Sequence, residues 1–169
     1  MAATVEIDEA NGAGETLTHD ITNSNMGSDD SVNLNAVTYS IAPNTRTYIK
    51  YQKIHVTAMG GSSKIDNLQV WRTGALGAGG TPHHYTNART SSYGGALEYA
   101  TPTRSAVSGV DQEMPTSAPG SANLGIGGSL SGALTATGSS DYLGHQIAVD
   151  ASATAGSTTT MNYQYDETA

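Results

Sequence analysis

Near the end of the chain, hydrophobic and polar residues alternate more regularly than elsewhere. Two runs place every second residue on a common face: Leu143, His145, Ile147 and Val149 in one, and Met161, Tyr163 and Tyr165 in the other. Successive side chains of a β-strand point to opposite faces of its sheet, so a period of two predicts strands with one buried face. We interpret both runs as half-buried strands of an antiparallel sheet.

Similar β-rich runs recur along the whole chain. They cover residues 4–8, 16–21, 37–41, 48–57, 64–72, 124–134, 142–150 and 158–166. The 18 serines, 22 threonines and 20 glycines favour strand edges and turns, and they depress helix formation. The sequence therefore predicts about eight strands and little helix.

Residues 47–72 give the strongest signal for two adjacent strands. Two β-rich runs are joined there by the sequence MGGSS at residues 59–63, and Gly and Ser are favoured in turns. A short turn between two β-rich runs predicts a hairpin.

The first of these two runs changes the parity of its hydrophobic positions. Ile49 and Tyr51 are odd, whereas Ile54 and Val56 are even. The change predicts either a β-bulge or a strand that is buried on both faces.

The strand pattern predicts one compact domain. Many short strands without helices between them favour two packed sheets, an antiparallel β-sandwich or jelly roll, which we assign to residues 36–169. We interpret the acidic residues 1–35 as an extended N-terminal arm. Residues 73–121 break the pattern with a glycine-rich stretch and four prolines. Long loops are usually functional or ordered by a partner, so we expect this irregular excursion to cross a neighbouring molecule or to add a short strand.

The charge of the chain bears on its partners. The net charge is −8, from 15 acidic and 7 basic residues, and a negative surface argues against binding of nucleic acid. Seven acids lie in the first 50 residues, where the basic residues are Arg46 and Lys50. The acidic arm is therefore suited to a basic partner.

Cysteines and long apolar runs are both missing from the sequence. The lack of cysteine excludes disulfides and thiolate metal sites. The N-terminus MAATVEIDEA has neither the basic nor the apolar region of an export signal, and no run approaches the roughly 20 apolar residues of a membrane span. We expect a soluble protein that does not contact membranes.

Histidine and aspartate pairs are candidate metal ligands. His83 and His84 are adjacent, but neighbouring side chains diverge in extended backbone, which favours exposed loop residues over ligands. His145 shares a face with hydrophobic residues, which favours a hydrogen-bonded, semi-buried imidazole. Asp29 and Asp30 offer oxygen ligands of the kind that calcium prefers, but their spacing fits a solvated acidic turn better than an EF-hand loop. We therefore expect neither a metal nor a cofactor.

Sequence signatures of common enzymes are not found. The stretch GSLSG at residues 128–132 has leucine where a nucleophile elbow needs serine. Neither a phosphate-binding loop that ends in Gly-Lys-Ser/Thr nor the dinucleotide-binding Gly-x-Gly-x-x-Gly pattern occurs. We expect a protein that is not an enzyme.

The aromatic and acidic residues are candidates for intermolecular contact. A lone Trp71 at the end of a strand is usually a core or sheet-rim anchor. The tyrosines of the excursion combine a large contact area with a hydroxyl, which is typical of interfaces, although packing within the loop explains them equally well. The predicted interface residues are Tyr85, Tyr93 and Tyr99 of the excursion and Glu6, Asp8 and Glu9 of the arm.

Three segments resemble a group of tailed-bacteriophage virion proteins. They are ATVEIDEANGAGET (residues 3–16), YQKIHVTAMGGSSKIDNLQVWR (residues 51–72) and SDYLGHQIAVDASATAGSTTTMNYQYDET (residues 140–168), over a third of the chain. The resemblance implies a β-sandwich body and the role of a head decoration (cement) protein. It further implies binding across major capsid protein subunits on the capsid outer surface of the virion, after assembly in the host cytoplasm. Threefold sites on such a shell would favour a homotrimer.

A second hypothesis is a carbohydrate-binding or host-adhesion module of a phage tail or fibre. Such a module would use Trp71 and the loop tyrosines as platforms on which sugar rings stack. A hydrolase with a diffuse site is a third possibility for which the sequence provides no signature.

Overall fold

All regular secondary structure in the described part of the chain is β. The computed structural model describes residues 1–35, 37–77, 82–152 and 158–169. Its strands are β1 (Thr4–Asn11), β2 (Thr16–Thr18), β3 (Lys50–Ala58), β4 (Lys64–Thr73), β5 (His83–Thr86), β6 (Gln112–Glu113), β7 (Gly138–Ser139), β8 (Leu143–Ala148) and β9 (Thr160–Thr168). The prediction of an antiparallel all-β fold is confirmed. The predicted domain boundary at residue 36 and residues 78–81 of the predicted excursion lie outside the described residues.

The strands form two antiparallel sheets. The larger sheet has seven strands in the order β2-β1-β3-β8-β5-β6, and β7 pairs with β3. The smaller sheet consists of β4 and β9, which pair from Lys64 opposite Thr168 to Thr73 opposite Thr160. Two sheets on one core agree with a sandwich, and the jelly-roll connectivity stays a prediction.

The main hydrophobic core lies between the two sheets. Its buried members come from β3, β4, β8 and the connecting segments: Ile54, Val56, Ile65, Leu68, Val70, Ala88, Met114, Leu124 and Leu143. Met161, Tyr163 and Tyr165 of β9 pack against them. Burial of apolar surface contributes about 25 cal/mol per Å², so this cluster is the main force that holds the sheets together.

Strands β3 and β4 do not form the predicted hairpin, although they follow one another through residues 59–63. β3 pairs with β1, β7 and β8, whereas β4 pairs with β9. The turn is anchored by other segments: the N–H of Gly61 donates to the carbonyl of Met1 at 2.7 Å, and the N–H of Ser63 donates to that of Thr168 at 2.8 Å. The chain crosses from one sheet to the other here because β3 and β4 each have a hydrophobic side. When the two strands lie in facing sheets, both hydrophobic sides are buried in the core between them.

Strand β3 is buried on both faces, which accounts for its change of parity. Ile54 and Val56 belong to the core between the sheets, and Ile49 and Tyr51 belong to a second cluster on the other face. The register of β1 against β3 is unbroken from Tyr51 to Val56, so a bulge between these residues is not the cause.

The predicted excursion of residues 73–121 packs on the larger sheet. It supplies the short strands β5 and β6 to that sheet. Further along, Leu97, Tyr99, Val107 and Val110 join the second hydrophobic cluster. The excursion therefore covers part of the outer face of the larger sheet, the face that points away from β4 and β9.

Two of the predicted strands do not form. Residues 37–39 form a turn, because the side-chain oxygen of Asn35 accepts the N–H groups of Val37 and Thr38, both at 3.0 Å, and residues 40–41 have no regular structure. Residues 124–134 form turns and isolated bridges. Gly127 and Gly128 have φ angles of 60° and 81° there, values that a regular strand does not adopt.

Part of the segment predicted as an N-terminal arm is built into the larger sheet. β1 pairs with β3 over most of its length, and β2 forms the sheet edge beside β1. The following residues also lie against the body, since the N–H of Ile21 donates to the carbonyl of Ile7 at 2.9 Å. Lys50 Nζ donates to the carbonyl of Ser31 at 2.7 Å. This acidic segment is thus a structural part of the domain.

Candidate functional site

Tyr99, one of the predicted interface tyrosines, is half-buried on the outer face of the larger sheet. Its ring lies 4.9 Å from that of Tyr51 and 5.6 Å from that of Tyr142, measured between centroids. Its hydroxyl donates to the carbonyl of Gly12. Burial, followed by the nearby charge of Asp30, raises the pKa of Tyr99 to about 12. The ring fastens the excursion to the sheet.

Tyr93 and Tyr85 also contact their own chain. The Tyr93 hydroxyl donates to Asp141 Oδ2 at 2.8 Å and accepts the N–H of Gly125 at 3.2 Å. Burial and the hydrogen bond to Asp141 raise the pKa of Tyr93. Tyr85 lies in β5, where the guanidinium of Arg46 is 4.9 Å from its ring centroid. Local packing accounts for the tyrosines, and partner contact through their exposed edges stays a prediction.

The three predicted acidic residues lie on opposite faces of β1. Glu9 points between the sheets and is fully buried, where it accepts hydrogen bonds from Lys50 Nζ at 2.9 Å and Gln52 Nε2 at 3.1 Å. Glu6 and Asp8 lie on the outer face, and Asp8 is only 2% exposed. Burial leaves Asp8 and Glu9 no free surface for a partner in this fold, whereas Glu6 is partly exposed.

Two carboxylates and two imidazoles converge on the outer face of β1. Asp8 Oδ2 lies 2.9 Å from Nδ1 of both His19 and His55. Glu6 Oε1 lies 3.5 Å from Nδ1 of His19 and 3.2 Å from Nδ1 of His55. The four atoms are all within 4.8 Å of one another. We name these four residues the histidine–carboxylate cluster, a set of two nitrogen and two oxygen donors.

Strand pairing assembles the histidine–carboxylate cluster. Glu6 and Asp8 share a face because they alternate along β1. Glu6 pairs with His55 of β3, and His19 directly follows Thr18, the residue of β2 that pairs with Glu9. The sequence analysis did not predict the cluster. The spacing of Glu6 and Asp8 is visible in the sequence, but the strand register that brings the two histidines to these carboxylates is not.

A second concentration of polar groups lines a cavity between the sheets. The cavity has a volume of about 650 Å³ and is bordered by residues of β1, β3, β5, β8 and β9. His84 and His145 lie in its wall, with His84 Nε2 2.8 Å from His145 Nδ1. Within the described residues, the other nitrogen of each ring has no hydrogen-bond partner. Burial lowers the pKa of both imidazoles, so both are neutral near pH 7.

The position of His84 corrects the interpretation of the adjacent histidines as exposed loop residues. His84 is 1% exposed because it lies in β5, opposite Ile147 of β8. His83 points to the other face, where its ring stacks on that of Tyr85 at 5.3 Å and pairs with Glu113. His145 is hydrogen-bonded as expected, but it is buried rather than semi-buried.

Asp29 and Asp30 find hydrogen-bond donors within the chain. Asp30 accepts from Asn11 Nδ2 at 2.9 Å and from the N–H of Gly12 at 2.7 Å. Asp29 accepts from Ser31 Oγ at 3.0 Å. The acidic turn is therefore held by protein groups.

Comparison of the chain with models of protein families, with curated protein sequences and with solved structures finds no match. In the ranges that the structure describes, no helix is long and apolar enough to cross a membrane. Proposals about function therefore depend on the surfaces described above and on the resemblance of the three sequence segments.

Proposed function

We propose that this chain is a noncatalytic virion protein that decorates the head of a tailed bacteriophage, binds across major capsid protein subunits and stabilises the shell. The observation that carries the proposal is the location of the three resembling segments. The first contains β1, the second spans most of β3 and nearly all of β4, and the third contains β8 and β9. The resemblance thus covers the longest strands of both sheets, which form the framework of the fold.

An open strand edge supports the proposal of contact with neighbouring subunits. β9 is nine residues long and pairs with β4 along one edge. In the described part of the chain, no strand pairs with its other edge. Unpaired N–H and C=O groups on such an edge are a template for pairing with a strand of another chain. This edge suits attachment to a shell subunit or to a second copy in the proposed homotrimer.

The internal anchoring of the loops also fits a decoration protein. The excursion is fastened by Tyr99 and Tyr93, and the N-terminal segment is held by β1 and β2. A preorganised body loses little conformational entropy on binding, so more of the contact energy is available to oppose separation of the shell subunits. The net charge of −8 favours a basic contact surface on the shell.

The hypothesis of a carbohydrate-binding or adhesion module receives less support. Tyr93 and Tyr99 are half-buried, and their hydroxyls are bonded within the chain. The exposed parts of their rings, and those of half-buried Tyr85 and Trp71, would remain for stacking on a sugar. Specific binding on a glycan array, together with failure to bind phage heads, would favour this alternative.

Addition of the purified chain to undecorated phage heads tests the proposal. We expect saturable binding and a higher temperature of head disruption. A ligand that binds only the assembled shell stabilises it by about 2.7 kcal/mol per site when the free ligand concentration is 100 times the Kd. Heads that already carry their decoration protein are the control and should bind little more. Failure to bind heads, or binding to the tail instead, would contradict the proposal.

A further inference from the structure

We propose that the histidine–carboxylate cluster of Glu6, Asp8, His19 and His55 is a structural binding site for a divalent transition metal of the zinc type. The first support is the spacing of the donor atoms. Four of the six distances between them are 2.9, 2.9, 3.2 and 3.5 Å. A tetrahedral zinc ion with bonds of about 2.0–2.1 Å needs ligand atoms about 3.3 Å apart, and these four distances scatter around that value.

The second support is the environment of Asp8. Its side chain is 3% exposed, and its Oδ1 atom is buried with no hydrogen-bond partner in the described residues. An unpaired buried carboxylate oxygen is costly, and a second carboxylate, from Glu6, lies in the same cluster. A divalent cation would compensate both negative charges. Protonated histidines alone would give an ion-pair cluster, which is the competing explanation.

The donor set defines the class of metal. Two imidazole nitrogens with two carboxylate oxygens suit zinc and its first-row neighbours, whereas magnesium and calcium prefer oxygen ligands alone. Four protein donors fill a tetrahedral coordination shell, which is the pattern of structural zinc sites rather than catalytic ones. His19 has 57% of its side chain exposed, so the ion can reach the site from solvent.

The location of the cluster indicates what the metal would do. Asp8 and Glu6 belong to β1, His55 to β3, and His19 to the segment after β2. A shared ion would join the outermost strand of the sheet and its following segment to β1 and β3. The link would stabilise the short β2 most, because all three of its residues are exposed. This inference does not depend on the proposed function.

Titration of the chelator-treated 169-residue chain with zinc chloride tests the proposal. We expect one zinc ion bound per chain by calorimetry, a higher Tm with zinc, and a tetrahedral visible spectrum when cobalt replaces zinc. The variants His19→Gln and His55→Gln should each bind zinc at least about tenfold more weakly, since the loss of an outer-shell partner alone costs about 10–100-fold.

The variant His83→Gln is the matched control. His83 also pairs with a carboxylate, that of Glu113, but lies outside the cluster, so its loss should leave zinc affinity unchanged. Circular dichroism of each variant verifies folding. Because His19 is exposed, His19→Gln is less disruptive to folding than His55→Gln. Absence of saturable binding would overturn the proposal, as would equal affinity in His19→Gln and the parent chain. A similar affinity for magnesium would overturn the assigned metal class.

Discussion

Replacement of Lys50 by methionine is expected to lower the free energy of unfolding by about 3–5 kcal/mol. Lys50 and Glu9 are both fully buried, with Lys50 Nζ 2.9 Å from Glu9 Oε1. Methionine fills similar space but leaves the Glu9 carboxylate buried without its countercharge. Removal of one partner of a buried ion pair is costly because the remaining charge has lost its countercharge and is shielded from water. Urea denaturation of the parent and the variant measures the difference.

Two further variants isolate the cause of this loss. Lys64 pairs with Asp66 at 2.8 Å but is 43% exposed, so Lys64→Met should cost less than about 1 kcal/mol. The double variant Glu9→Gln with Lys50→Met removes both charges and should recover part of the stability. A loss in Lys50→Met no larger than that in Lys64→Met would show that the buried pair is not important for stability.

Acidification from pH 6.5 to pH 5 is expected to destabilise the domain by about 3 kcal/mol through His84 and His145 together. Burial lowers the pKa of both side chains from 6.5. The positive charges of His145 and then Arg72 lower that of His84 further, and the charge of Lys50 lowers that of His145. The unfolded chain therefore takes up protons that the folded chain does not. Stability is fully present well above pH 6.5 and is lost as the pH falls towards the lowered pKa values. The slope for each ring approaches about 1.4 kcal/mol per pH unit only well below pH 6.5, where the unfolded imidazole is fully protonated.

The double variant His84→Gln with His145→Asn is the control for this pH dependence. The two amides can replace the hydrogen bond between His84 Nε2 and His145 Nδ1, but they do not titrate. The other histidines are the same in both proteins, so their contribution cancels in the difference. Urea denaturation at several pH values should show a shallower dependence in the variant. An equal loss of stability on acidification in the parent and the double variant would mean that His84 and His145 do not take up protons on unfolding.

The sequence predicted those strands whose signal is local. β8 and β9 alternate hydrophobic and polar residues, and β3 and β4 are long runs of β-forming residues, so periodicity found the first two and composition the other two. The two-residue strands β6 and β7 are too short to carry a period. The hairpin prediction was wrong because the turn at residues 59–63 indicates a change of direction but not which strand becomes the neighbour.

The candidate sites could not be predicted because they depend on long-range pairing. Glu9 and Lys50 are charged residues at core positions, and only the pairing of β1 with β3 shows that each neutralises the other. His55 reaches Asp8 in the same way. The sequence therefore suggested a solvated acidic arm at the N-terminus. In the folded domain, some of these acidic side chains are buried.

Imaging of the intact phage particle by electron cryomicroscopy is the most direct test of the proposed function, that this chain binds across shell proteins of the phage head. The proposal predicts many copies of the β-sandwich on the outer surface of the head, arranged with the symmetry of the capsid and bridging adjacent major capsid protein subunits. Density for the chain only on the tail or its fibres, or its absence from the particle, would contradict the claim.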